Sequence, residues 1–554
     1  MSEEAKSTTA EAALGPPVAA DGPDPKRWLA LIVLLAATFM DLLDVNIVTV
    51  AIPSIQEDLG ASSAAVQALN VGYTLSFAVT LITGGRLGDI FGRKRAFLFG
   101  VAGFVVASAL CAFAPSAEVL VASRILQGIA AAIMVPQVLA IIYVTFPAAE
   151  IGRVVSLYAS MIGLAIVAGP LLGGVLISWA PAGLGWRTIF VVNLPFGVAA
   201  LIAGAMWMRE SKSPRATRLD PVGMVLATTG LLLLLLPLLR GRELGWPTWS
   251  IASLIASVPV LVAFVYYERY KTAKDGSPLV VLSLFKIRTF GAGVGAQLLF
   301  SCIPAGFFLS WTFYLQGGLG WSALHTGLTA IPFSLGVPIA GNLAVRKLFP
   351  RYGRNCLFAG ALLMMAGLLL YAWIAHLAGE TITSWHAVVP MLLLGSGMGM
   401  LLAPLTGMTL NDVEPREAGA ASGLINAAGQ LGAALGVAII GAIFFSGLAA
   451  NAGTQADRVL PSVPAVASQQ AEIRACAVDA HSQADLTAVP ETCRALGADD
   501  PAQQTAIGNA LTDINSGTFI ATFSEALYWA SAGLAAVICL LFLLPRQPRR
   551  LGVS

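Results

Sequence analysis

Long apolar runs separated by short polar stretches dominate the chain. About 20 apolar residues at 1.5 Å rise cross the hydrocarbon core of a bilayer. Fourteen such runs are read: near 28–52, 66–86, 96–114, 119–146, 152–180, 188–208, 221–239, 249–267, 290–314, 324–345, 356–376, 387–410, 418–446 and 520–544. Polar residues collect between the runs and do not alternate within them, so the pattern predicts an all-α membrane protein with fourteen transmembrane helices.

Composition narrows the class further. Hydrophobic residues make up 57% and charged residues 11%, with a mean hydropathy of +0.79. A soluble domain carries about 25% charge, which excludes a soluble enzyme or a disordered chain. The net charge of +2 leaves no basic surplus for a nucleic-acid partner; the partner that remains is the lipid bilayer. Residues 1–27 hold Glu3, Glu4, Glu11, Asp21 and Asp24 among Pro and Ala, which predicts a disordered tail and not a signal peptide.

Charge also predicts orientation. With the N-terminus inside, the cytoplasmic loops hold Arg93-Lys94-Arg95 and the basic residues near 209–218, 269–288 and 346–354. Of 32 Lys and Arg, only Arg187, Arg240, Arg242, Arg458, Arg474 and Arg494 fall on the opposite face, and Arg124 falls within a span. The positive-inside bias therefore predicts a multi-pass protein of the plasma membrane with both termini cytoplasmic. Residues 447–519 are then an extracytoplasmic loop. There Cys476 and Cys493 are either a disulfide, which that compartment permits, or two free thiols in a flexible segment. Cys111, Cys302, Cys356 and Cys539 sit in apolar runs as small core residues. The four histidines show no ligand spacing, so neither a metal nor a cofactor is expected.

A weak repeat suggests two halves. Gly85-Arg86-Leu87-Gly88-Asp89 with Gly92-Arg93 ends the second run, and a degraded echo, Gly341-Asn342-Leu343-Ala344-Val345 with Gly353-Arg354, ends the tenth. The expected organisation is a six-helix bundle over 28–208, linkers and two extra spans over 209–289, and a second six-helix bundle over 290–554.

Charges inside the spans carry the candidate chemistry. A carboxylate near mid-bilayer costs about 2.5–3.5 kcal/mol on insertion scales, and burial favours its neutral form. Asp41 and Asp44 share one face of the first span, and two nearby carboxylates tend to keep one proton between them. At 1.5 Å per residue Asp44 lies about 12 Å from the outer end, Asp41 about 16 Å and Arg124 about 8 Å. Arg124 is therefore expected to face Asp44, leaving Asp41 the more easily protonated. The bland alternative is a fixed salt bridge with no part in transport. Aromatic and Met side chains in the first, fifth and ninth spans (Phe39, Met40, Met161, Phe307, Phe308 and Trp311) suit a plastic apolar pocket.

Several motifs resemble one known family. Gly85 to Arg95, GRLGDIFGRKR, resembles the loop motif of the major facilitator superfamily, with Gly85, Asp89, Gly92 and Arg93 in register and Ile90 in place of the usual basic residue. Arg124, Gln127 and Gly128 in LVASRILQGIAAA resemble its RxxQG motif. Gly169, Pro170, Gly173 and Gly174 resemble the GPxxGG core of its exporter motif, with Ser156 and Ala165 where further glycines are usual. Trp186-Arg187-Thr188-Ile189-Phe190 with Asn193-Leu194-Pro195, and Gly419 to Gly436, resemble further family signatures. In the first span Asp44 and Pro53 match, while the usual Thr and Asn stand exchanged as Asn46 and Thr49; in the second, Ala68 replaces the usual Trp.

The resemblance implies the major facilitator fold and the fourteen-span drug:proton antiporter family. It implies export of a small amphiphilic drug or antibiotic in exchange for protons, by a monomer, with Asp44 as the usual acid and the glycine motifs shaping helix contacts and gating. No Walker loop, nucleophile elbow or HExxH is present, which argues against an enzyme or an ATP-driven pump. A lipid or natural-product exporter on the same fold, and a membrane scaffold that has lost transport, are the rivals.

Overall fold

The computed structural model describes residues 24–60, 63–179, 183–212, 220–241, 246–275, 278–413, 418–482, 490–494, 496 and 501–546. The expected N-terminal tail lies, up to residue 23, outside the described residues. Fourteen long helices order the rest: α1 (Arg27–Leu59), α2 (Ser63–Phe91), α3 (Arg93–Ala112), α4 (Ala117–Thr145), α5 (Ala148–Trp179), α6 (Asn193–Trp207), α7 (Pro221–Arg240), α8 (Thr248–Asp275), α9 (Arg288–Phe313), α10 (Ile331–Leu343), α11 (Arg354–Ala378), α12 (Ser384–Leu410), α13 (Ala418–Val459) and α14 (Pro501–Leu541). Short helices Thr188–Val191 and Ala323–Thr329 lead into α6 and α10. Among the described residues there are no strands, and twelve helices are long and apolar enough to cross a membrane.

Packing divides the helices into two bundles. α2 and α3 pack on α4, and α1 packs on α5 and α6; α9 packs on α13 and α14, and α12 on α10 and α11. The bundles meet where α5 touches α10 and where α2 touches α13. Since lipid is as apolar as Leu, helices in a membrane gain little from hydrophobicity and associate by close approach at small residues. The α2–α4 contact shows how close. A Cβ on Gly84 would fall 2.0 Å from the Ala132 carbonyl oxygen, and one on Gly128 2.5 Å from the Tyr73 carbonyl oxygen. α7 and α8, central in the chain, are peripheral in the molecule. They pair with each other, α7 touches α2 and α13, and Ile255, Val258 and Val262 face outward from α8.

The internal repeat has a structural counterpart. Gly92 takes φ +108° and Gly353 φ +52°, a region that favours glycine, and each opens the following helix, α3 or α11. The next amide then bonds the segment that follows the last helix of its bundle: Arg93 N–H to the Ser211 carbonyl at 2.9 Å, and Arg354 N–H to the Arg546 carbonyl at 3.1 Å.

The segment between α13 and α14 departs from the flexible-loop alternative. α13 runs to Val459, well beyond the expected end near 446, and α14 begins at Pro501, well before 520. At 42 and 41 residues these helices are about 60 Å long, twice the hydrocarbon core. Their extensions fold because they have a core of their own: Ala456, Leu460, Val466, Ile473, Ala477, Ile507, Ala510 and Ile514 pack together. Cys476, on the helix Gln470–Ser482, is joined to Cys493 by a disulfide. Denatured protein is therefore expected to take four maleimides without reductant and six with it, read by intact mass. Six without reductant removes the crosslink.

Candidate functional site: a buried ion pair beside a central cavity

α1 carries two carboxylates one turn apart into different surroundings. Asp44 is 0% exposed and Arg124 is 1% exposed. Arg124 donates through Nη1 to Asp44 Oδ2 and, at 2.6 Å, to Gln127 Oε1. Gln127 Nε2 at 2.9 Å and Asn193 Nδ2 at 2.7 Å both donate to Asp44 Oδ1, and Ser108 Oγ accepts from Gln127 at 2.8 Å. Donors from α4 and α6 thus hold one carboxylate, and α3 braces Gln127. Such a charge is tolerated away from water only with its partner and its remaining lone pairs satisfied.

Asp41, one turn earlier on α1, opens on a cavity. It is 5% exposed, and the cavity, of about 340 Å³, lies between the bundles. Among the described residues its one hydrogen-bond donor is the Tyr73 hydroxyl, bonded to Oδ1. The ring of the same tyrosine lies under the Arg124 guanidinium, 4.4 Å from centroid to Cζ, a cation–π arrangement. Tyr73 therefore touches both the acid that opens on the cavity and the base that holds the other acid. Nothing in the pattern of apolar positions singled it out, because a tyrosine in an apolar helix reads as a core residue.

The cavity takes Thr38 and Leu42 from α1, Val135, Leu139 and Tyr143 from α4, and Tyr158 from α5. The second bundle contributes Gln297, Phe300 and Phe308 from α9, Phe333 from α10, Met398 and Leu402 from α12, and Asn426 and Gln430 from α13. An apolar wall with a few convergent polar groups is the usual form of a small-molecule site. Of the six expected pocket residues only Phe308 lines it. Phe307 and Trp311 point into the core of the second bundle, where Trp311 Nε1 donates to the Tyr371 hydroxyl at 2.8 Å. Met40 packs with Tyr73 and Phe104, and neither Phe39 nor Met161 reaches the cavity. Each helix presents several apolar faces, and its rotation decides which one turns inward.

The glycine motifs resolve into contacts. Gly128 lies against Ser76 and Tyr73, and a Cβ on Gly169 would fall 2.5 Å from the Asn46 Cβ, so α5 presses on α1 there. Gly173 is buried; Gly174 has open space beside it, and the Pro170 side chain is not among those described. Gly85 makes only an ordinary contact with Pro136. Asp89 accepts from Arg93 Nη2 at 3.3 Å. One partner of this loop was not visible beforehand: Glu210, just past α6, accepts the amides of Lys94 at 3.1 Å and Arg95 at 3.2 Å. It thereby caps α3, where a negative charge is favoured, and its carboxylate would stand 2.5 Å from a Cβ on Gly92.

Since Gly128 backs Tyr73, its replacement tests the site without touching a charge. Gly128→Ala is expected to cost about 1–3 kcal/mol through overpacking, seen as a lower melting temperature of the purified protein. Unchanged melting means that α2 and α4 separate freely.

Two six-helix bundles around a central cavity, with an intramembrane acid–base cluster beside it, define a multi-pass protein of the secondary-transporter class. The chain belongs to the Major Facilitator Superfamily, whose pattern matches residues 34–437. It is 38% identical over 548 residues to the "Probable actinorhodin transporter" of Streptomyces coelicolor, covering 97% of this chain and 95% of that one. It is 34% identical to the "Tetracenomycin C resistance and export protein" of Streptomyces glaucescens, covering 77% and 78%. It is 31% identical to the "Multidrug resistance protein Stp" of Mycobacterium tuberculosis, covering 78% and 79%. Among solved structures the human organic anion transporter MFSD10 superposes with a TM-score of 0.56 at 15% identity, covering 76% of this chain and 94% of that one. That likeness concerns the fold alone.

Proposed function

We propose that this protein is a fourteen-span, proton-coupled antiporter that exports hydrophobic or cationic drugs or antibiotics across the cytoplasmic membrane, with both termini inside. The observation that carries the reading is the division of labour on α1: Asp44 is compensated by Arg124, Gln127 and Asn193, whereas Asp41 opens on the cavity and accepts from the Tyr73 hydroxyl. Protons entering from outside neutralise Asp41. The neutral acid releases a cationic substrate from the cavity and slackens the Tyr73–Arg124 contact, and the bundles rock about the α5–α10 and α2–α13 seams. Return to the inward-facing state frees the proton to the cytoplasm. One charge moving through the membrane potential supplies about 2.3 kcal/mol per 100 mV, enough to drive a neutral substrate uphill; exchange for a monovalent cation moves no net charge and draws on the pH gradient alone.

The similarity to the "Probable actinorhodin transporter" over nearly the whole chain favours a second reading on the same mechanism, in which the cargo is an antibiotic made by the producing cell. Both are tested in inverted vesicles by uptake of ethidium and of several antibiotics under an imposed pH gradient. Uptake that stops when the gradient is collapsed supports coupling; uptake indifferent to the gradient overturns it, and the order of preference among cargoes separates the two readings.

A further inference from the structure

The paired helices α7 and α8 join the first bundle at a buried polar cluster that the export mechanism leaves unused. Asp220 caps α7: its Oδ1 accepts the Gly223 amide at 3.0 Å and the Tyr267 hydroxyl at 2.9 Å. Glu268, on α8, accepts the Val280 amide through Oε2 at 2.9 Å. Asp220 is 3% exposed and Glu268 0% exposed. That leaves one oxygen on each, Asp220 Oδ2 and Glu268 Oε1, buried and taking no hydrogen bond from any described residue. The two converge on one point. A Cβ on Gly223 would stand 2.7 Å from Asp220 Oδ2 and 2.5 Å from Glu268 Oε1, so only glycine leaves room for both.

Two buried carboxylate oxygens that both approach one Cβ position without a donor pay both desolvation and repulsion. A single proton removes the repulsion and leaves one buried charge in place of two, because a neutral carboxyl donates to the carboxylate opposite. We propose that Asp220 and Glu268 hold one proton between Oδ2 and Oε1 above Gly223, a proton-binding site on α7 and α8 separate from the central cavity.

The groups around the pair favour a proton over a metal ion. Among the described residues, Tyr267 and Lys271 flank it on α8, Arg86 approaches from α2 with Asp89 near its guanidinium, and α13 brings the apolar Leu424. The Arg86 guanidinium adds positive charge nearby, and no cluster of three metal-binding side chains occurs among the described residues. Arg86 does not hydrogen-bond the pair. It donates to the carbonyls of Pro278 at 2.6 Å and Leu279 at 2.9 Å, while Glu268 holds the next amide, that of Val280. Glu268 and Arg86 of α2 therefore hold adjacent residues of one three-residue segment, Pro278–Val280. Loss of the proton sets two negative charges face to face and pulls on the segment that Arg86 anchors.

Infrared spectroscopy of the full-length protein in lipid, titrated between about pH 5 and 9, tests the site through the C=O stretch of protonated carboxylic acids, a readout independent of export. The wild type should show a protonated-acid band that Asp220→Asn and Glu268→Gln each abolish and Asp41→Asn leaves in place. In either amide variant the new N–H donates to the remaining carboxylate in the proton's stead, so folding is retained, and either variant alone suffices for the reading. A wild-type spectrum matching both amide variants throughout the titration overturns the proposal. So does a melting temperature raised by Na⁺ or K⁺ in the wild type only, which makes the occupant a metal ion.

Discussion

Arg124→Ala is expected to abolish export and to destabilise the protein by about 3–5 kcal/mol, the usual cost of stripping one partner from a buried pair. The loss comes mainly from the carboxylate left behind. Asp44 has no exposure, and the amides of Gln127 and Asn193 are neutral donors that do not balance its charge. The guanidinium also braces Gln127 and lies over Tyr73, so its removal frees the tyrosine that holds Asp41. A double variant, Asp44→Asn with Arg124→Gln, separates charge from packing. It removes both charges while keeping amide groups for Gln127 and Asn193, and melting should recover most of the way to wild type while export stays absent. Melting temperature and vesicle uptake measured on the same preparations decide the matter. Full export by the neutral double variant reduces the pair to a structural salt bridge.

Asp41→Asn should behave in the opposite way. The amide oxygen still accepts from the Tyr73 hydroxyl, and no countercharge is orphaned, so the fold is expected to stay within about 1 kcal/mol of wild type. Coupling is what disappears. A carrier that moves one proton per neutral substrate reaches a concentration ratio of about 50-fold per 100 mV, since 2.3 kcal/mol corresponds to that factor. Without a titrating group on the cavity wall the ratio falls toward one, while downhill exchange of preloaded substrate continues. Uptake against a gradient and counterflow in proteoliposomes read the two quantities. Retained uphill accumulation by Asp41→Asn moves the proton site elsewhere on the chain.

Much of this molecule is legible along the chain, and the pairing of Asp44 with Arg124 shows why. A helix in a bilayer has a fixed rise and nearly fixed ends, so a residue number converts to a depth, and two charges at one depth that each need a partner find each other. The same reasoning left Asp41 unpaired by Arg124, and the structure gives it a neutral partner instead. Depth says nothing about which way a side chain turns. Five of the six aromatic and methionine residues expected in the pocket miss it for that reason, and Tyr143, Tyr158 and Tyr73 went unmarked. Glu210 was equally hidden, because an acid in a short loop has no periodic signature and acquires meaning only when α3 begins beneath it.

The all-helical class, the approximate places of the long apolar helices, the internal repeat and the approximate depth of Asp44 and Arg124 follow from the chain alone, since lipid obliges every spanning segment to satisfy its own backbone and penalises each unpaired ion. Helix rotation, the contact between bundles, the cage around Asp44, the peripheral place of α7 and α8 and the folded segment around Cys476 and Cys493 were decided by tertiary packing. These depend on which small residues let two particular backbones approach, and that is a property of pairs of helices, not of either one read singly.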